Sequence, residues 1–554
     1  MKHSKIMTSE SNQNNTRYSR LLIAAFVATL MLPACVLIFT EKYSLLRAVS
    51  AVLLPTGFYL LWSVAHKRSG MMVCCGLLWF IIAALQLVLL YMFGGSIVAV
   101  DMFTNLFTTN STEAGELLSN IWPMVSFVVV LYLPVLYLAV HSLQKGYTIA
   151  SVTRRKAALV GAVMVLAGCT TSQFNVFPFN ALENVYRAVD EFVKVHNYPT
   201  SSADFKFDVK NNKDGNHREI YVLVIGEASR AANWQLYGYD RPTNSLLSAE
   251  RDVIVYKNVV TQSNATHKSV PMILSSVSAD NHSEIYNRCG IVQLYKEAGF
   301  RTLVVSCQAP NRGLVQMMCD EADQTIYMNG LNDGAMLEPL RQAIDADTSD
   351  LFIVLHSYGS HFNYRERYPD KFSHFTPDDD VSISKTNRER MVNAYDNTIV
   401  YTDWFLSEVI GALRETNACA AMLYCADHGE DLYDDYRARF LHSSPTVTYY
   451  QMHVACLGWY SQAWQSQYPE KAAAAKANTM APASTHSVFH TAAQLAPLES
   501  EYIKSSVSFV SGEFDYSVER HYLDDHCKAQ LYGVVGLQAE DWLQFLNKGI
   551  IDLQ

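Results

Sequence analysis

The sequence predicts two parts of different class: an α-helical transmembrane domain of five spans, then a doubly wound α/β domain. Three observations carry that prediction. Five long apolar runs follow one another before any soluble pattern begins. From residue 219 onward, short apolar runs alternate with amphipathic stretches of helical period, the pattern of a sheet covered on both faces. Acids and histidines then collect directly after several of those short runs, where open α/β sheets place their ligands.

With 554 residues the chain can build more than one core. Its formal net charge of −10 argues against nucleic-acid binding. Charged residues make up only 17% and are sparse in the first third, as in a membrane anchor joined to a globular domain.

The apolar runs lie near 21–40, 44–65, 71–95, 121–142 and 157–173. Each is long enough, or nearly so, for a hydrocarbon core of roughly 30 Å. One such run could be a buried core helix; five in succession are read as spans. The start is too polar and too long for a simple cleaved signal. Basic residues orient the bundle: Lys2, Lys5, Arg17 and Arg20 precede the first run, "HKRSG" forms the second connection and "QKGYTIASVTRRK" the fourth. The positive-inside rule makes these cytoplasmic. An odd span count then exports residues beyond 173, in a bacterium to the periplasm. The boundaries read as 1–173 for the transmembrane domain, 174–218 for a linker with amphipathic helix, and 219–554 for the α/β domain. "LAGC", ending at Cys169, looks like an acylation box but follows four other spans; it reads as a small-residue helix face. Of eleven cysteines, seven lie in the exported part. An oxidising compartment permits disulfides, and an odd count leaves at least one unpaired, with the connectivity open.

In the α/β part, "YVLVIGE" ends in Glu227, "LFIVLHSYGSH" in His356 and His361, and "AMLYCADHGE" in Asp427, His428 and Glu430; His442 follows in "RFLHSSP". Carboxylate and imidazole together suit zinc. Taken singly, DHG is an ordinary turn and a lone histidine an ordinary structural residue; three agreeing strand ends favour a metal cluster. Thr266 sits in "NATHKSVP" ahead of an apolar run. It has two readings, a helix N-cap or an alcohol nucleophile activated by the metal.

The segments "VLVIGEASRAANWQLYGYDRPTN", "NATHKSVP", "GSHFNYRERYP", "NAYDNTIVYTD" and "DHGEDL" together resemble the lipid A phosphoethanolamine transferases. These are membrane-anchored members of the alkaline phosphatase superfamily that include the mobile colistin-resistance enzymes. The resemblance covers most of the chain, the spans and the loop "DMFTNLFTTNSTEAGELLSN" included. It implies an alkaline-phosphatase-like, sulfatase-type periplasmic domain on a multi-pass protein of the bacterial inner membrane, a monomer. It implies zinc held by Glu227, Thr266, Asp427 and His428, with Thr266 the nucleophile. His361 and His442 would bind a second metal or the phosphoethanolamine group. The implied reaction takes phosphoethanolamine from phosphatidylethanolamine, releases diacylglycerol, and passes the group to lipid A or another lipopolysaccharide group.

The chain departs from the family pattern in places. Gln262 and Met272 stand where cysteines usually flank the nucleophile, and two further customary cysteine pairs are absent. A phosphate-holding lysine is replaced by Gln316, with Arg312 as a substitute. These departures leave the acceptor open, so transfer of phosphoethanolamine or glycerol phosphate to another envelope glycan is the alternative. A sulfatase activity would call for Cys or Ser within C/S-x-P-x-R, which "THKSVP" does not offer. A glycerol-phosphate polymerase lacks the "GEASRAANWQLYGY" texture. A catalytically dead scaffold would have no use for the Glu, Thr, Asp and His set.

Overall fold

The computed structural model describes residues 2–41, 43–93, 97–108, 111–170, 176–346, 348–532 and 537–550. Two compact units result, Met1–Phe103 with Ala114–Ala188, and Thr104–Glu113 with Val189–Gln554.

The first unit is helical, and its apolar side chains point both ways. Phe26, Tyr59 and Phe80 pack edge to face in its interior, whereas Phe39 and Leu45 are each 81% exposed. Apolar surface of that kind suits lipid rather than water. The chain thus carries an integral membrane region. Fewer than the expected five helices qualify as spans by length and composition among the described residues. Among the described residues, Asn14–Thr40, Leu45–Val64 and Asn120–Gln144 are long and apolar enough to cross a membrane. Ser69–Cys75 and Leu77–Met92 make a fourth only as one broken span, bent by 53°. The fifth run forms the helix Ser151–Thr170 but fails on composition. Arg154, Arg155 and Lys156 occupy its first turns, so its apolar part begins at Ala157 and runs on into residues outside those described. Residues 171–175, where this run was expected to end and the linker to begin, lie outside the described residues.

That helix packs along Leu45–Val64 through small residues. A Cβ on Gly57 would lie 2.7 Å from the Gly161 carbonyl oxygen, and one on Gly168 would lie 2.9 Å from the Leu54 nitrogen. The "LAGC" stretch is therefore a helix-packing face, with Cys169 against the cluster of Ala51 and Leu54. The three basic connections meet at one end of this unit. The Arg20 guanidinium donates to Thr153 Oγ1 (2.8 Å), and the Ile149 amide to the Lys67 carbonyl (3.0 Å).

The second unit is built on a seven-stranded sheet. Its strands are β1 (Glu219–Gly226), β2 (Val253–Val255), β3 (Arg301–Ser306), β4 (Gln324–Tyr327), β5 (Leu351–His356), β6 (Cys419–Ala426) and β7 (Cys456–Tyr460). The spatial order is β2-β7-β6-β1-β5-β3-β4. Strands β6, β1, β5, β3 and β4 run parallel; β7 runs antiparallel to both β6 and β2. β1 lies at the centre with all eight residues buried, which is why "EIYVLVIG" shows no alternation. Each fully buried Val, Leu or Ile there contributes about 1.5–3 kcal/mol.

The register positions the site. Glu219 pairs with Cys419 and Gly226 with Ala426, so the residues that follow, Glu227 and Asp427, emerge side by side. The run "VIVYKNVV", expected as one strand, is split. Val253–Val255 joins the central sheet, while Val259–Val260 pairs with Ala483–Ser484. The segment "EKAAAAKANTMAPAS", 470–484, reads in the sequence as a surface helix and loop, but it buries Ala472 and Ala475 in the core.

A buried histidine makes this unit acid-sensitive. His453 is 4% exposed; its Nε2 donates to the Lys257 carbonyl (3.0 Å), so its Nδ1 accepts from the Tyr449 hydroxyl (2.9 Å). Burial holds its pKa down at about 4, against about 6.5 in an unfolded chain. The unfolded chain therefore takes up the proton first. The contribution is intact above about pH 6.5 and drains as pH falls towards 4, by up to about 3 kcal/mol. Thermal melting between pH 4 and 7 should show a shallower acid slope in His453→Asn than in the wild type; parallel slopes would contradict this.

Candidate active site

Glu227 follows directly on β1 and is wholly buried. The next residue, Ala228, has φ 52°, a left-handed conformation costly for a residue with a side chain. Tyr395, on the long helix Arg388–Glu415, braces the turn. Its hydroxyl donates to the Ala228 carbonyl (2.6 Å) and accepts from the Arg230 amide (2.9 Å). Leu441 and Ser443, on either side of His442, also have positive φ, 65° and 60°. Strain thus concentrates beside two of the expected site residues.

Thr266 is not an N-cap. The helix it opens, Thr266–Leu274, has Ala265 at the cap position, and no side chain caps it. The Thr266 hydroxyl turns instead to the sheet, 3.2 Å from Glu227 Oε1 and 3.0 Å from His428 Nε2. His428 Nε2 lies 3.4 Å from Glu227 Oε1 and 3.3 Å from Asp427 Oδ2. All four residues expected to hold metal therefore converge.

Their orientation is fixed from behind. His428 Nδ1 donates to the Gly429 carbonyl (2.9 Å), so the lone pair sits on Nε2 and faces the cluster. Asp427 Oδ1 accepts from the amides of Ala228 (3.1 Å) and His428 (2.6 Å), and Oδ2 from Ser269 (3.0 Å). The Thr261 hydroxyl donates to the Asp427 carbonyl. Gln308 Nε2 donates to Glu227 Oε2 (2.9 Å).

His442 lies closer to this group than a purely assisting residue would. Its ring is 4.1 Å from that of His428, and Glu227, His428 and His442 offer ligand atoms within 4.8 Å of one another. Its Nδ1 meets Glu430 Oε1 at 2.9 Å. His361 stands further out, its ring 6.2 Å from that of His442. Gln316 lines the same cavity of about 140 Å³ as Thr266, His361 and His442. Arg312 does not; it lines a neighbouring, largely apolar cavity of about 680 Å³ with Phe192, Val195 and Met317. The two cavities share His267, Asn311, Gly313, Leu314 and Gln316.

The electrostatics call for a cation. Burial, then the adjacent charge of Asp427, pushes the Glu227 carboxyl well above the usual range, and burial raises Asp427 as well. Burial lowers His428 and His442 to about 4 and His361 to about 3, so all three imidazoles are neutral at physiological pH. Two buried carboxylates beside neutral imidazole lone pairs suit a divalent ion. The separations of 3.0–3.4 Å among Thr266, Glu227, Asp427 and His428 also fit. Ligands about 2.0 Å from one tetrahedral ion lie about 3.3 Å apart. The residues present therefore fit a metal.

Gln308 and Ser269 were outside the expected site. Gln308 lies two residues beyond β3, another strand end that the same rule covers, and Ser269 lies one helical turn after Thr266. Glu430 was visible as a strand-end acid, but its bond to His442 depends on a return of the chain that the sequence does not show. Gly429 is required by close approach. A Cβ there would lie 2.1 Å from the Tyr450 carbonyl oxygen, whereas one on Gly411 would meet nothing within 4 Å. Gly429→Ala should cost roughly 1–3 kcal/mol, while Gly411→Ala, inside a helix, should stabilise by about 0.5–1 kcal/mol. Thermal melting of both variants checks the contrast.

Comparison with known proteins places this arrangement. Residues 219–498, half of the chain, match the family described as Sulfatase. The chain is 32% identical over 271 residues to phosphoethanolamine transferase EptA of Escherichia coli (strain K12), covering 45% of this chain and 48% of that protein. The match thus spans about half the length of that curated relative. The solved structure of the integral membrane protein lipooligosaccharide phosphoethanolamine transferase A (EptA) from Neisseria meningitidis superposes with a TM-score of 0.70 at 20% identity. It covers 88% of this chain and 98% of that one, a likeness of fold that takes in the helical region. The C-terminal periplasmic domain of EptC from Escherichia coli, solved as a complex with Zn, superposes with a TM-score of 0.55 at 24% identity, covering 60% of this chain and 97% of that one. The match over half its length shows that the chain belongs to the family described as Sulfatase, and its curated relatives include proteins named phosphoethanolamine transferases.

Proposed function

We propose that this protein transfers phosphoethanolamine from phosphatidylethanolamine to lipid A or another lipopolysaccharide group, with Thr266 as the nucleophile and zinc as the metal. The observation that carries the reading is the Thr266 hydroxyl, set 3.0 Å from His428 Nε2 and 3.2 Å from Glu227 Oε1 at the wall of a polar cavity. Relatives named phosphoethanolamine transferases and a related domain solved with Zn support it.

Glu227, Thr266, Asp427 and His428 would hold the ion, with His442 within reach. When bound, zinc favours the alkoxide form of a coordinated alcohol and offsets charge on phosphoryl oxygens. Thr266 Oγ1 forms a bond to phosphorus as the bond from phosphorus to the glycerol oxygen breaks, and diacylglycerol leaves. An acceptor oxygen then attacks the same phosphorus and frees Thr266. His361 and His442 bind the phosphoryl group or carry the proton from Thr266 Oγ1 to the departing glycerol oxygen. The apolar cavity beside His267 suits the glycerol end and acyl chains of the donor. In this reading residues 1–173 anchor the chain in the inner membrane, 174–218 link, and 219–554 work as a monomer in the periplasm. The gathering of the basic connections at one end of the helical unit supports that orientation.

Lipid A from cells with and without the gene, compared by mass spectrometry, tests the acceptor. A gain of phosphoethanolamine on lipid A is expected. Unchanged lipid A with a newly modified core sugar or envelope glycan would move the acceptor. Glu430→Ala, which removes the partner of His442 Nδ1, should reduce turnover about 10–100-fold; full activity would show that this bond does not serve the reaction.

A further inference from the structure

At the opposite end of the same two strands lies a second group of metal-ligating side chains. Glu219 opens β1, Cys419 opens β6, and the two are register partners. His217, two residues before Glu219, completes the group. His217, Glu219 and Cys419 each offer a ligand atom, all within 4.8 Å of one another. Glu219 is wholly buried and Cys419 is 3% exposed, while His217 is partly exposed and gives an ion a way in.

The hydrogen bonding leaves this group incomplete. Glu219 Oε1 is 3.1 Å from His217 Nε2 and accepts from the Tyr468 hydroxyl (2.5 Å). Glu219 Oε2 is buried and has no hydrogen-bond partner among the described residues, an expensive state for a carboxylate oxygen. The nearby Lys471 ammonium donates instead to the carbonyls of Gln494 (2.7 Å) and Ala496 (3.0 Å). Cys419 Sγ has only a long contact of 4.0 Å with the Tyr221 hydroxyl.

We propose that His217, Glu219 and Cys419 form a second, structural binding site for a zinc-type divalent cation. Imidazole, carboxylate and thiolate are the ligands zinc takes, and one thiolate with one carboxylate neutralises its two charges. Binding releases the Cys419 thiol proton to solvent. The ion would clamp the starts of β1 and β6, whose far ends carry Glu227, Asp427 and His428.

Cobalt(II) substitution of the full-length protein separates this site from the catalytic one, whose ligands include no sulfur. A near-ultraviolet thiolate-to-cobalt charge-transfer band is expected in the wild type, absent in Cys419→Ser and retained in Asp427→Asn. His217→Ala, at a partly exposed position, should weaken cobalt binding at least tenfold as read by that band, and serves if Cys419→Ser fails to fold. No band in the wild type, an equal band in Cys419→Ser, or unchanged affinity in His217→Ala would overturn the proposal.

Discussion

Thr266→Ala should leave a folded protein with turnover reduced by about ten-thousand-fold or more, the scale on which loss of a nucleophile is felt. The structural cost is small because Thr266 caps nothing. Ala265 holds the cap position, so the usual penalty of about 1 kcal/mol for a lost cap does not arise. What disappears is the hydroxyl facing Glu227 and His428. Thr266→Ser keeps that hydroxyl and should retain measurable transfer. Diacylglycerol release from phosphatidylethanolamine, measured beside thermal melting, separates the two effects. An active Thr266→Ala variant would refute the nucleophile assignment, and an unfolded one would show that the residue is structural.

Replacing Asp427 should abolish turnover and metal binding at the active site, but the choice of variant matters. Asp427 Oδ1 accepts from two buried amides and Oδ2 from Ser269. Asp427→Ala strips those partners and should cost about 1–3 kcal/mol for each buried donor left unsatisfied. Asp427→Asn keeps a carbonyl oxygen for the amides and removes the charge, so it tests the metal with less damage to the fold. Purified wild type should contain close to stoichiometric zinc at this site, and Asp427→Asn should lose it while melting within a few degrees of the wild type. Equal zinc in the two proteins, with Cys419 replaced in both, would remove Asp427 from the ligand set.

The parts of this account that were legible in the sequence are those that local order fixes. Glu227, Asp427 and His428 follow fully apolar strands, and parallel register carries them to the same crest. The position of Thr266 beside them was legible only through the family resemblance, because it depends on how a helix after a split strand returns to the sheet. The same return brings His442 near His428, and nothing within "RFLHSSP" announces it. The bend at Gly76, between Cys75 and Leu77, interrupts no apolar run, so two helices read as one span. Arg154, Arg155 and Lys156 were read as loop charges, yet they form the first turns of a helix. Ala472 and Ala475 looked like surface filler because alanine carries little burial signal; small side chains let that helix lie close against the core.

Mapping the covalent intermediate tests the central claim most directly. Purified protein is incubated with phosphatidylethanolamine without acceptor, quenched, digested and sequenced by mass spectrometry. One phosphoethanolamine group on Thr266, absent from Thr266→Ala and lost on adding lipid A, is the expected result. Transfer to lipid A with the adduct on Ser263 or Ser269, or with no protein adduct at any stage, would contradict it.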